Sequence, residues 1–186
     1  MQLTICTQDK KTLKELEYAF VRNDNVRIYY GSCFDIDADM LVSPANSFGI
    51  MDGGFDKEIL DALGSSVQDR VFEAIKMFNG EINIGDSMLI RLHKKYKFLL
   101  VAPTMRVPMD VSKTTNAYVA IRRILWHLES SDIVMPMLCT GIGKMPVERA
   151  VNQMRMAYRN VVEKVQLTDF DLIRKSQERL MYPNDI

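Results

Sequence analysis

Several features that would narrow the function of a chain this size are missing. No apolar run approaches the roughly 20 residues of a membrane-spanning helix, so no membrane partner is expected. The first residues, MQLTICTQDKK, carry no long apolar region and no cleavage site, and no signal peptide is predicted there. There is no basic block: 24 lysines and arginines are balanced by 24 aspartates and glutamates. Nothing therefore advertises a nucleic-acid or acidic-membrane partner. Cysteine is scarce, and Cys6, Cys33 and Cys139 are far apart and odd in number. That excludes a disulfide framework and metal-ligand spacing and fits a reducing, cytoplasmic setting. The two histidines, His93 and His127, fall in an expected hairpin turn and on an expected helix, and neither pairs legibly with a cysteine. No metal and no cofactor is expected. GIGKM lacks the spacing and the Lys-Ser/Thr pair of a Walker loop, and GxGxxG does not occur.

What is present is an alternation of strands and helices over 186 residues, a length that suits one domain, 1–186, with a real core. LTIC (Leu3 to Cys6), VRIYYG (Val26 to Gly31), DMLVSPA (Asp39 to Ala45), SMLIRL (Ser87 to Leu92), KFLLVAP (Lys97 to Pro103) and DIVMPML (Asp132 to Leu138) read as strands. Helices are expected over Lys11 to Arg22, capped by Asp9, over Asp56 to Leu63 and Ser66 to Met77 with Gly64 as the break, over Thr114 to Leu128, and from Pro146 to about Lys164. A further helical segment is expected in the tail. HKKY predicts a hairpin, so the sheet is mixed but mostly parallel, in an α/β fold with helices on both faces. The 13 methionines follow no single spacing and read as adaptable core filler.

Two loops stand out. SPANSFGIMDGGFDKEIL, Ser43 to Leu60, is a strand exit running through glycines and carboxylates into a helix; CTGIGKMP, Cys139 to Pro146, is a second strand exit rich in glycine. Ligands of open α/β sheets bind beyond the carboxyl ends of the strands. Glycines there let backbone N–H groups approach a phosphate, and a following helix N-terminus favours negative charge. The plainer accounts are ordinary βα connections: Asp56 as a helix-start carboxylate, Asn46 as a turn residue bonding its own backbone, and Asp52 and Lys57 as solvated side chains.

These two stretches resemble the macro domain family, which binds ADP-ribose. Asn46 falls on the asparagine of the family's NAAN-like strand end, and Gly53, Gly54, Phe55 and Asp56 fall on its Gly-Gly-Val-Asp. PMLCTGIGKMP, Pro136 to Pro146, is similar to the family's P-x-x-S-T-G-I-F-G-x-P. Thr140, Gly141, Ile142 and Pro146 match, Cys139 replaces serine, and Gly143 stands where phenylalanine is usual. KYKFLLVAPTMRVP looks like the strand between the motifs, and the resemblance spans roughly Val26 to Lys164. It implies a three-layer α-β-α fold and a division of labour like that of MacroD-type hydrolases, which remove ADP-ribose from modified proteins. Gly141, Ile142, Gly143 and Lys144, with Thr140, would wrap the diphosphate. Asn46, beside Ala45, would bond the distal ribose, and Asp56 would orient that ribose and an attacking water. Asn46 and Asp56 are thus the candidate catalytic residues.

The resemblance has departures. Ser32, followed by Cys33, occupies the place of the aspartate that reads the adenine amino group, with Asp35 and Asp37 as candidate substitutes. Met51 and Asp52 thin the glycine run. Gly53 stands near where lysine-dependent relatives that release ADP-ribose from DNA carry their lysine, so that chemistry is not implied. Phe170 falls about where some members stack an aromatic on adenine, and a core phenylalanine is the plainer account. Cys139 reads as a small apolar strand-end residue rather than a nucleophile. The implied partner is ADP-ribose or an ADP-ribosylated substrate. The alternative to hydrolysis is a non-catalytic reader of ADP-ribosylated protein, or a protein that sequesters an ADP-ribose-like nucleotide signal.

Overall fold

A computed structural model of the chain describes residues 1–92 and 95–165. In order, the elements are β1 (Leu3–Thr7), α1 (Lys10–Phe20), β2 (Val26–Tyr30), a 3₁₀ turn (Cys33–Asp35), β3 (Met40–Ser43), α2 (Gly54–Leu63), α3 (Ser66–Lys76), β4 (Met88–Arg91), β5 (Phe98–Val101), α4 (Asn116–Ile124), a second 3₁₀ turn (Leu125–His127), β6 (Ile133–Pro136) and α5 (Val147–Val161). The strands form one sheet in the order β2-β1-β6-β3-β5-β4. Every pairing is parallel except β4 with β5. The mixed, mostly parallel α/β sheet expected from the sequence is what forms.

Strand alternation sorts the apolar side chains into two cores. Met40 and Val42 of β3 face the core shared with α1, α4 and α5, while Leu41 faces the one shared with α2 and α3. In β5, Leu100 takes the first side and Leu99 and Val101 the second; in β6, Ile133 and Met135 oppose Val134. The central strands are covered on both faces, which is why they read as unbroken apolar runs. Edge strand β4 is covered on one face, with Met88 and Ile90 inward and Leu89 and Arg91 outward.

Several boundaries differ from the expected ones for local reasons. Asp9 caps α1 by accepting from the Thr12 N–H at 2.7 Å, but the helix stops at Phe20, not Arg22. β3 ends at Ser43, two residues early, because Pro44 has no N–H to continue the ladder. The helix expected over 114–128 begins only at Asn116. The Thr114 hydroxyl is bonded into the preceding turn, donating to the Val111 carbonyl and accepting from the Asn116 N–H. Its end tightens into the 3₁₀ turn, where the Leu128 N–H reaches the Leu125 carbonyl. Pro146 sits just before α5 rather than as its first residue, and α2 starts at Gly54, which places Asp56 in its first turn.

Tyr96, fully buried beside the β4–β5 connection, donates its hydroxyl to the Cys33 carbonyl at 2.9 Å. That bond ties the hairpin to the 3₁₀ turn after β2. Tyr96→Phe removes that bond and leaves the carbonyl with the Ile36 N–H alone, and we expect it to cost about 1 kcal/mol. Urea unfolding should show a lower midpoint at unchanged slope.

Candidate functional site

β6, β3 and β5 are neighbours in the sheet, so the loops leaving their carboxyl ends converge. They enclose a cavity of about 130 Å³. The loop after β3 contributes Ala45, Asn46 and Gly53, and the first turn of α2 adds Gly54, Phe55 and Asp56. The loop after β6 contributes Cys139, Gly141, Ile142 and Gly143. A third wall, from the loop after β5, holds Thr104, Met105 and Pro108.

Asp56 is 7% exposed. Its Oδ1 accepts a 2.6 Å hydrogen bond from the Ser43 hydroxyl, itself buried at the end of β3. Burial pushes the Asp56 carboxyl up to about 6, and the Ser43 bond pulls the other way. A carboxyl titrating near neutrality and lining a cavity is suited to taking a proton.

Asn46 is spent largely on its own loop. Its Oδ1 accepts from the N–H groups of Phe48 and Ile50, and its Nδ2 donates to the Ile50 carbonyl at 2.7 Å. Its backbone pairs with Met105, which couples the first loop to the third. The residue still lines the cavity, and one amide hydrogen remains beyond the bond to Ile50.

The second loop is a set of tight turns. The Met145 N–H reaches the Cys139 carbonyl at 2.9 Å, Lys144 N–H reaches Gly141, and Val111 N–H from the third loop reaches Gly143. Cys139 and Lys144 adopt left-handed backbone at φ 64 and 53 without being glycine. Lys144 stands where the motif P-x-x-S-T-G-I-F-G-x-P has its second glycine. Backbone held this way tends to cluster at ligand clamps. The two glycines play different parts. A Cβ on Gly143 would sit 2.6 Å from the Cys139 carbonyl oxygen, whereas one on Gly141 would meet nothing within 4 Å. Ile142 reaches across to the first loop, its Cδ1 3.5 Å from where a Gly54 side chain would begin. Gly54 itself lies at φ 57, a conformation that suits glycine. Burial pushes the Cys139 thiol up to about 12, against a hydrogen bond with Thr104, so it is neutral near pH 7 and a poor nucleophile.

Ser32, Cys33, Thr140 and Lys144 do not line this cavity. Ser32 and Asp35 cap the 3₁₀ turn reciprocally. The Ser32 hydroxyl accepts from the Phe34 N–H, and the Asp35 carboxylate accepts from the Ser32 N–H. Asp37 pairs with Lys95 on the surface. The thiol of Cys33 is buried against that of Cys6, which with burial pushes its pKa well up. Phe34 stacks on Phe55, ring centroids 5.6 Å apart, joining this turn to the start of α2. Phe170 and His93 lie outside the described residues. Sequence reasoning missed Ser43 and the third wall; a serine closing an apolar strand two residues before a loop was the available signal for the first.

A three-layer α/β domain with its cavity on glycine-bearing loops at the carboxyl edge of the sheet defines the class. Within that class, the chain belongs to the macro domain family, whose family model matches residues 42–154. An uncharacterized protein of Aquifex aeolicus is 32% identical over 155 residues, covering 79% of this chain and 91% of the relative. The macrodomain of Mycobacterium tuberculosis DarG superposes with a TM-score of 0.58 at 20% identity, over 70% of this chain and 87% of that one. Thermosipho africanus DarTG in complex with ADP-ribose gives 0.56 at 16% identity, over 88% of this chain and 51% of that one. At these identities the two solved structures speak to the fold.

Two predictions follow from the geometry. Gly143→Ala should lose about 1–3 kcal/mol of stability through the clash with Cys139, while Gly141→Ala should unfold within about 0.5 kcal/mol of the parent; thermal unfolding of both separates them. For Asp56, the folded pKa lies above the ordinary value of 3.8, so the folded protein binds the proton more readily than the unfolded chain. That contribution is fully present below about pH 3.8 and lost as pH rises through about 6. Asp56→Asn should therefore be more stable than the parent at neutral pH by about 1–3 kcal/mol. The gain should shrink as pH falls from 6 towards 4 in urea unfolding.

Proposed function

We propose that this chain binds ADP-ribose in the cleft and hydrolyses an ADP-ribosyl ester, on a protein or a small metabolite, with Asp56 as the base. The observation that carries the proposal is the buried Asp56 carboxyl, raised to about 6, lining a cavity of about 130 Å³. That volume suits a sugar ring rather than a whole nucleotide ligand, for which pockets of about 300 Å³ or more are usual. The distal ribose would occupy the cavity and the remainder of the ligand would lie along the groove outside it. Family membership supports the choice of ligand, and a neighbour of the same fold is a complex with ADP-ribose.

In this reading the diphosphate runs along Gly141 to Gly143, where the open side of Gly141 gives room for close approach. Asn46 offers its remaining amide hydrogen to a ribose hydroxyl. A water beside Asp56 Oδ2 attacks the anomeric carbon. Its oxygen forms the new C–O bond, its proton passes to Asp56, and the bond to the acceptor breaks with the acceptor leaving as a carboxylate. Because that leaving group is already stable as an anion, positioning and electrostatics supply most of the rate. Cys139 takes no part.

Single-turnover release of ADP-ribose from an automodified acceptor, beside calorimetric titration with ADP-ribose, tests the reading. Asp56→Ala should lower release by on the order of a hundredfold or more while keeping affinity within about tenfold, since it serves mainly the transition state. Asn46→Ala should weaken both, because it removes a ligand contact and the bonds that shape the loop. Binding without release by the parent on any ADP-ribosylated carboxylate would make the chain a reader. Release that survives unchanged in Asp56→Ala would remove Asp56 from the mechanism.

A further inference from the structure

We propose that Ser43 is a positioning residue of this site: its hydroxyl holds Oδ1 of Asp56 and so sets the direction and the charged state in which the other oxygen meets a ligand. The inference rests on the hydrolytic reading of the cleft and deepens it. Ser43 is the last residue of β3 and 1% exposed. Its backbone is fixed by the parallel ladder with Val101 and by the Ala102 N–H donating to its carbonyl at 2.9 Å. A hydroxyl on such a backbone has few places to point, and it lies 2.6 Å from Asp56 Oδ1. That separation is typical of a hydroxyl donating to a carboxylate. Among the described residues Asp56 has no other side-chain hydrogen bond, so Oδ2 is left to the cavity that Asp56 lines.

Two opposed influences meet at this carboxyl. Burial favours the neutral acid, which cannot accept a proton from water. The Ser43 bond favours the carboxylate. No charged side chain nearby among the described residues tips the balance further. Lys57 and Glu58 on α2 are exposed, Lys57 being paired with Asp61. The residues of α3 and β3 that pack on this side, Val67, Val71 and Leu41, are apolar. The other titratable residues lining the cavity are Asp52, exposed at the rim, and Cys139, whose thiol is neutral. Ser43 is thus the group that keeps Asp56 ionised at neutral pH and aims its free oxygen. It touches no substrate atom and acts through Asp56.

The experiment follows the Asp56 side-chain carboxyl by carbon-13 NMR as pH is varied, without ligand, in the parent, Ser43→Ala and Ser43→Thr. Release-rate profiles against pH are collected on the same proteins. In Ser43→Ala the Asp56 midpoint and the acid limb of release should both move up by about one pH unit or more. ADP-ribose affinity at pH 8 should stay within about threefold of the parent. Ser43→Thr, which restores the hydroxyl, should return both midpoints to the parent's. An unmoved carboxyl midpoint in Ser43→Ala overturns the assignment, as does a Ser43→Thr protein that shifts as far as the alanine variant. If Ser43→Ala does not fold, Ser43→Cys, close in size and a weak donor, gives the same comparison. Absence of release by the parent would retire the hydrolytic reading alone, because the carboxyl titration is read without substrate and decides the role of Ser43 separately.

Discussion

Taking a carboxylate out of water is costly unless something replaces its hydration, and at Asp56 the replacement is one serine hydroxyl and the start of a helix. Both depend on where elements stop and begin. β3 has to end at Ser43 for the hydroxyl to stand at the rim of the sheet, and Pro44 ends it there. α2 has to begin two residues before Asp56, and Gly54 makes that possible by taking φ 57. The helix N-terminus then adds its partial positive charge on the side where a negative one is wanted. The carboxyl remains strained electrostatically, as its rise to about 6 shows. A group this poorly solvated is a liability to stability and an asset to proton transfer.

The second loop is held in shape before any ligand arrives. Its turns close on themselves through Cys139, Gly141 and the Val111 N–H, and two non-glycine residues accept left-handed backbone to do so. The buried Cys139 side chain anchors one end, and the close contact of Gly143 with the Cys139 carbonyl and Val111 fixes the middle. Such a loop gives up little further freedom on binding, which is where preformed sites gain affinity. Ile142 alone of the loop reaches over Gly53 and Gly54, so the two loops present one wall rather than two.

Much of this was legible in the sequence because the signals were local. The apolar runs of β3 and β6, the cap at Asp9, the break at Gly64 and the paired loops each have a short-range pattern, and the order of the two motifs carried the family. What was not legible depended on neighbours in space. Thr104 and Met105 reach the cavity only because β5 lies beside β3, a matter of strand order. Ser43 gives no periodic signal; its meaning comes from Asp56 thirteen residues on. The plainer account of Asn46 as a turn residue describes its amide, which bonds its own loop, while the residue also lines the cavity. The start of α4 moved to Asn116 because the Thr114 hydroxyl found partners in the preceding turn.

The stretch CFDIDAD shows how structural demands can decide what a site is able to read. Two of its three aspartates, Asp35 and Asp37, were the candidates to replace the acid missing at Ser32. Asp35 is used by the cap of its own turn, Asp37 by Lys95, and Asp39 by Lys97 and the Asp132 N–H. Each has a structural partner, so under the proposed reading an adenine amino group would share the carboxylate with that partner or compete with it. Under the proposed reading, the contacts free of such competition lie on the diphosphate loop, where Gly141 has an open side, and at the Asp56 carboxyl that lines the cavity.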